Sequence, residues 1–451
     1  MSRRLLIIDT GSNALDFAMR AQEWGWSVLW YDRPRADGSI RMAGKGIVPK
    51  IVDYNLLRSK YLDWADLIFL PDNNFYLEML EPYRLQGLPI FGPSVEAAQW
   101  ELNREMGQKV MKKAGMKTIP GVTFHDYDDA ARFVEKNPTY LVSKPSGDCD
   151  KAMSYVADDA ASLVHMMLDR WKKNEKYRSD ARKHGFILQE KVQGVEMAVG
   201  GWFGPGGWSK FWYENAEYKR LMNGDLGPNV GEQGTLSMYV RESKLADIAL
   251  KPMTAQLKAM DYVGYVDNNG MILDDGSFAP FEFTMRPPWP GFHNLMATTE
   301  GDPAQWMLDL LHGEDTLQVK EDLACISIVV ATPDYPYSHA TQKELSGVPV
   351  YGASDREHVH LSEVMVGEEV PVQIGDKVVR MPHYVTCGDY VCVVCGTGST
   401  ITSARQSAYA AVKKVRIPNN SFYRTDIGRA RLIEGLPKLH KHGFATGFTY
   451  G

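Results

Sequence analysis

Five groups of polar residues fall in a set order along the middle of the chain, most of them where an apolar run ends. Lys144 closes Tyr140-Leu-Val-Ser-Lys144, and Gln189-Glu190-Lys191-Val192 follows Phe186-Ile-Leu, with Gly194-Val-Glu196 just beyond. Lys219-Arg220 precedes a Gly/Pro-rich loop, Gly224-Asp-Leu-Gly-Pro-Asn-Val-Gly231, which carries Asp225 and Asn229. Glu282 lies on the second arm of a hairpin, and Arg286 follows four residues later. Such a set suits a nucleoside triphosphate. A strand-borne lysine neutralises phosphate charge. A short segment leaving a strand pairs with a base edge, and Glu196 accepts from ribose hydroxyls. Glu282 is an oxygen ligand for Mg²⁺. Lys219 and Arg286 stabilise charge on an acyl-phosphate or its tetrahedral adduct. Taken singly, each has a plain reading: a strand-end lysine at the surface, a glutamate on a solvated hairpin face, a loop that is only a turn. Their joint order points to a site.

These groups need elements to hold them. Leu5-Leu-Ile-Ile8, Ser27–Tyr31, Asp66–Leu70 and Leu88–Phe91 read as strands alternating with helices, the pattern of a doubly wound parallel sheet. Ligands of such sheets sit at the carboxyl ends of strands, which makes Gly11-Ser12-Asn13 and Pro71-Asp72-Asn73-Asn74 candidate contacts. Single helices are predicted over Val95–Ala114 and Ser243–Met260. A hairpin is predicted at Met271–Phe283, turning at Asp274-Asp-Gly276. Asn174–Lys183 reads as a solvated insertion. From Ala324 onward the texture is β-rich, with a helix over Thr402–Lys414, and the last fifteen or so residues carry little pattern.

Composition narrows the class. The chain has 451 residues, 44% hydrophobic and 24% charged, which excludes a disordered chain and a small disulfide scaffold. A net charge of −6 argues against bulk attraction to nucleic acid. Five cysteines, an odd number in a long chain, make a disulfide framework improbable. Cys392-Val-Val-Cys395 sits inside a strand-like run, where the two thiols point to opposite faces and belong to a core rather than a metal site. The four-residue apolar run after the N-terminus suits neither a signal peptide nor a membrane span, so a cytoplasmic protein is expected.

Several motifs together make the chain resemble the glycinamide ribonucleotide synthetases (phosphoribosylamine–glycine ligases) of the ATP-grasp superfamily, over nearly its whole length. Phe91-Gly-Pro-Ser94 and the residues up to Arg104 resemble the family's FGP…AAxLEgSK segment. Lys219–Gly231 resembles HKRxxdgDxGPNTGGMG, and Phe281-Glu-Phe-Thr-Met-Arg286 resembles xEFNxRFGDPE. Val385–Cys395 and Phe422-Tyr-Arg-Thr-Asp-Ile-Gly428 resemble the VtxGGRVLxV and FyRxDIG stretches. The resemblance implies an α/β fold: an N-terminal substrate-binding domain (1–100), an ATP-grasp domain (101–318, lid about 121–191), a β-rich C-terminal domain (319–436) and a tail (437–451). It implies an ATP- and Mg²⁺-dependent ligation of glycine to phosphoribosylamine through an acyl-phosphate, by a monomer acting on small molecules. Arg104, Lys144, Lys151, Gln189, Glu190, Val192 and Glu196 would contact ATP. Glu282 and Thr284 would hold Mg²⁺. Lys219, Asp225, Asn229 and Arg286 would line the reaction centre, and Gly11, Ser12, Asn13, Asp72, Tyr423 and Arg424 would face the amine substrate.

The departures cluster at substrate and phosphate contacts. Thr284 stands where the family has a metal-binding asparagine, with Asp267 or Asn268 as candidates to compensate. The GPNTGGMG loop reads Gly-Pro-Asn-Val-Gly-Glu-Gln-Gly, which introduces Glu232 and Gln233. Of the family's lid loop, Lys151 keeps a basic residue but most glycines are gone. Arg104 replaces a lysine, Thr10-Gly-Ser-Asn-Ala14 replaces GGREHA, and Arg286-Pro-Pro-Trp-Pro-Gly-Phe292 replaces RFGDPE. Two further readings follow: the same chemistry on another acceptor, such as a modified nucleotide or sugar amine, or a non-catalytic relative.

Overall fold

The protein is described from a computed structural model covering every residue except 1, 36–37, 74–75, 147–152, 334, 337–345, 419–420 and 430. The N-terminal region forms a five-stranded parallel sheet, in the order Lys50–Ile51, Ser27–Tyr31, Arg4–Ile8, Leu67–Phe69, Ile90–Phe91. Leu5 to Ile8 are all buried, as an unbroken apolar run requires when both faces of a strand are covered. The chain order reverses beside Arg4–Ile8, so the loop after it and the loop at Asp72 open at the same end of the sheet.

Two antiparallel sheets follow. The smaller joins Gly121–Phe124, Phe186–Gln189, Val142–Pro145 and Tyr155–Val156, and builds its own core around Tyr127, Leu163, Trp171 and Leu188. Glu175–His184, expected as a solvated insertion, is a helix on this sheet's side, capped by the Asn174 side chain. The larger sheet has eight strands. It runs from Phe278–Thr284 through Gly264–Leu273, Gly194–Gly204, Gly207–Glu217 and Gly234–Val240, then into Ala324–Ala331, Tyr390–Gly398 and Val359–Leu361. The junction pairs Gly234–Ser237 with Ile328–Cys325, so the C-terminal strands extend the central sheet.

The two long helices expected from periodicity are each broken. Asn103 interrupts Val95–Lys113 because its side chain accepts the Met106 N–H and starts a second helix. Pro252 interrupts the other, leaving Lys244–Ala249 and Thr254–Ala259. The patternless C-terminus holds the amphipathic helix Arg431–Lys441, with Phe444 and Phe448 buried behind it. Cys392 and Cys395 fall into different core clusters on opposite faces of their strand, and all four described cysteines are free thiols. No described helix is long and apolar enough to cross a membrane.

One buried polar junction ties the three regions together. The Asp16 carboxylate accepts from Arg20 Nε, Arg356 Nη1 and His360 Nδ1, each at 2.7 Å. His293 lies against His360 with ring centroids 5.3 Å apart. Burial lowers both imidazoles below their ordinary range, His293 most, so the rings are neutral when folded. A histidine depressed in the folded state contributes stability above its unfolded pKa and loses it as pH falls. The unfolded chain takes up these protons below about pH 6.5, while the packed rings do not. Asp16 resists protonation because His360, Arg20 and Arg356 outweigh its burial, and it extends the loss below about pH 4. Stability is therefore expected to fall steadily from pH 7.5 to 5, by up to about 1.4 kcal/mol per pH unit for each ring, and the melting temperature with it. Thermal melts of the parent and His293→Gln would check it; identical slopes would mean that the junction does not set the acid limit.

Candidate active site

The two antiparallel sheets enclose a cavity of about 490 Å³. The small sheet contributes Val142, Lys144 and Gln189, followed by the exiting segment Glu190–Val192. The large sheet contributes Glu196, Glu217, Asn269, Glu282 and Thr284. The loop after residue 217 brings Lys219, Asp225 and Asn229, and Arg104 and Arg286 complete the wall. Gathering these side chains follows from strand alternation. Glu282 and Thr284 share one face of their strand, directly across from Asn269 and Asp267.

Cations alternate with carboxylates around this cavity. Lys219 Nζ lies 2.7 Å from Glu196 and 3.0 Å from Glu217. Arg431 adds a contact of 3.3 Å to Glu196 and donates to the Glu217 carbonyl. Burial alone would lower the Lys219 pKa, but Glu196 and Glu217 hold it well above the ordinary lysine range. Burial would raise Glu196, yet Lys219, Arg431 and Lys144 bring it down to about 2. Lys144, over the face of Phe281 at 4.4 Å, drops to about 8 through burial, with Arg104 and Lys219 adding repulsion. A lysine poised this way gains strongly from an arriving polyanion. Arg104 pairs with Glu282 and donates from Nε to the Pro145 carbonyl at 2.7 Å, bridging the two sheets. Arg286 lies 3.3 Å from Glu101 and 3.8 Å from Asp72 of the N-terminal region.

Among the described residues, two buried amide atoms at the cavity have no hydrogen-bond partner. One is Gln189 Nε2, on the strand expected to meet the base. The other is Asn269 Oδ1, whose Nδ2 donates to Glu217 at 3.2 Å. Buried polar atoms of this kind are normally satisfied, so each is suited to a ligand. Asp267 and Asn268, the expected substitutes for the missing metal-ligand asparagine, do not line the cavity. Asp267 accepts from Asn215 and Tyr265 (3.2 Å each), and Asn268 faces Met116 on the opposite side of the strand. The amide oxygen beside Glu282 belongs to Asn269.

The candidate contacts for the amine substrate lie elsewhere. Arg424 is buried, with its guanidinium donating to Asp426, Asp225 and the Arg220 carbonyl, so it positions the loop of Asp225 and does not line the cavity. Tyr423 packs near Tyr409. At the first strand's end, the Asp9 carboxylate accepts from the Gly11 and Ala14 N–H groups (2.8 and 2.9 Å), and burial raises it to about 6. Ser12 is buried in a left-handed turn, and the Asn13 side chain folds back over Gly11. Of this group Asp72 alone reaches the cavity wall, through Arg286. Lys151 lies outside the described residues. Sequence reasoning missed Glu217, Asn269 and Arg431 and marked Glu232 and Trp289 only as departures; all five are in the wall. Alternation from the basic segment Lys219-Arg220 back to Glu217 was the one signal available for the first of them.

Two antiparallel sheets gripping a cavity of alternating charge define an ATP-grasp protein. Family models agree: residues 103–287 match the phosphoribosylglycinamide synthetase ATP-grasp (A) domain, and residues 325–430 match the phosphoribosylglycinamide synthetase C domain. The chain is 24% identical over 390 residues to the phosphoribosylamine–glycine ligase of Streptococcus pneumoniae, spanning 84% of this chain and 86% of that one. Among solved structures, the phosphoribosylamine–glycine ligase of Thermotoga maritima superposes with a TM-score of 0.69 at 19% identity, covering 94% of this chain and 99% of that one. The biotin carboxylase of Campylobacter jejuni superposes at 0.61 and 13% identity, covering 94% and 93%. The chain belongs to the phosphoribosylglycinamide synthetase family, as a divergent member.

Proposed function

We propose that the protein is an ATP-dependent carboxylate–amine ligase that joins glycine to phosphoribosylamine, a step of purine biosynthesis. The observation that carries this reading is the convergence of Lys144, Arg104, Lys219, Arg286 and Glu282 on one cavity between the two sheets. Gln189 and the segment Glu190–Val192 hold the base, and Glu196 takes the ribose. Lys144 and Arg104 hold the phosphates. Glu282 and the Asn269 amide oxygen would hold Mg²⁺, an all-oxygen set that suits a hard cation, with Thr284 beside them. The ion would neutralise phosphate charge during transfer. Lys219 and Arg286 orient the carboxylate and stabilise the charge that builds as its acyl-phosphate forms and is attacked. The reading includes a cytoplasmic monomer in which the ATP-grasp domain, with a lid near 121–191, lies between the N- and C-terminal domains.

A changed acceptor is the second reading. Glu232 and Trp289 stand in the cavity wall at positions where the sequence departs from the family pattern, and Asp9 occupies N–H groups of the first loop. ADP release with Mg-ATP, glycine and freshly generated phosphoribosylamine, read with product mass spectrometry, tests both. The glycinamide ribonucleotide mass supports the first reading. ADP release that appears only with other amines supports the second. No nucleotide turnover with any pair would leave a binding protein.

A further inference from the structure

The scheme above leaves three wall carboxyls without a role; Glu217 pairs with Lys219 and Asp225 with Arg424, which leaves Glu232. It is 5% exposed, follows Gly231 at a left-handed turn, and lines the same cavity as Lys219, Asn229 and Arg286. The Thr235 hydroxyl donates to its carboxylate. The charged and titratable groups around it are Glu217, Lys219, Asp267, Tyr213 and, from the C-terminal strands, Tyr390. Lys219 is already bracketed by Glu196 and Glu217, and no ion pair to Glu232 occurs among the described residues. Burial and the neighbouring Glu217 push its pKa well up. A buried carboxyl without a counter-ion is costly when ionised, unless a ligand supplies the cation. A ligase with a changed acceptor has such a ligand when that acceptor is an amine of ordinary basicity, which reaches the enzyme as an ammonium ion, whereas a glycosylamine is mostly neutral.

We propose that Glu232 receives the acceptor ammonium and takes its proton, so that the free amine can attack. This rests on the ligase reading in its changed-acceptor form. One N–H proton passes to the Glu232 carboxylate. The nitrogen lone pair forms the C–N bond at the acyl carbon, and the C–O bond to phosphate breaks with its electron pair on oxygen. The second surplus N–H proton leaves with the phosphate, and Glu232 returns its own to solvent. Glu232 is then a catalytic residue of the transfer step and takes no part in phosphorylating the carboxylate.

Two small acceptors separate these steps. Ammonium must lose a proton before attack, whereas hydroxylamine is already neutral at pH 7.5. With Mg-ATP and glycine, Glu232→Gln is expected to cut glycinamide formation from ammonium by about 10²-fold or more. Glycine hydroxamate formation from hydroxylamine should stay within about threefold, which also reports that the variant is folded and phosphorylates glycine. Raising the pH should partly rescue the ammonium reaction in the variant. Equal loss with both acceptors, or unchanged glycinamide formation, overturns the proposal while leaving the ligase reading intact. A raised KM for glycine with normal transfer overturns it too, placing Glu232 at the donor's ammonium. Wild-type protein that makes neither ADP nor hydroxamate removes both.

Discussion

Glu282→Gln is expected to abolish ligation, with kcat falling by about 10²–10³-fold or more, because the neutral amide removes the only charge in the proposed Mg²⁺ set. Two neighbours sharpen the test. Asn269→Ala is expected to weaken metal binding by about tenfold, since it deletes the unpartnered amide oxygen directly across from Glu282. Thr284→Ala is expected to change it by no more than about threefold, because a hydroxyl is a weak ligand. Mn²⁺ titration followed by electron paramagnetic resonance, with ADP present, reads the ion without needing turnover. Glu282→Gln also frees Arg104, which now pairs with Glu282, so ADP affinity should be measured alongside. Equal Mn²⁺ affinity across all three variants would mean that the metal lies elsewhere in the cavity.

Lys219→Met is the second large effect. It removes a cation that sits 2.7 and 3.0 Å from two carboxylates in a buried wall. Breaking such a pair costs about 3–5 kcal/mol because the partners are left without compensation. The side chains are partly solvated, so the lower end of that range is expected. Activity is expected to fall by about 10²–10³-fold on top of any loss of fold. Lys219→Arg keeps the charge but changes its shape from a point to a fork, and should recover stability more than rate. Melting temperatures and kcat for the two variants would check this. A stable Lys219→Met protein with normal kcat would remove Lys219 from the reaction centre. The sign of the pH effect follows from Glu196, which is held down near pKa 2 by Lys219, Arg431 and Lys144. A depressed carboxylate contributes stability above its unfolded pKa and loses it as pH falls through the folded value. Removing Lys219 raises the folded value, so the variant should be less stable than the parent at neutral pH and should lose less on acidification.

Lys144, Gln189, Glu196 and Glu282 were legible because each sits on a strand or at its end, where period-2 alternation places side chains. The helices at Val95–Lys113 and Lys244–Ala259 were legible as periodicity, but their breaks depended on a local cap and a proline that a window average smooths over. The substrate contacts expected at Tyr423 and Arg424 rested on resemblance. In the fold, the Arg424 guanidinium is occupied by Asp225 and Asp426.

The residues alone determined the strand-and-helix order, the family, and which side chains are chemically able to bind nucleotide phosphates and a divalent cation. The tertiary structure alone decided which of them meet. Asn269 faces Glu282 through a register set by pairing between two strands, and that register includes a bulge between Asn269 and Gly270. Asp16, His293 and His360 form one junction although Asp16 and His360 lie 344 residues apart. Lys219 acquires its charge environment from two strands and a C-terminal arginine. Local sequence encodes local periodicity. Register, burial and charge pairing are sums over distant segments, and they take their values only once the sheets have packed.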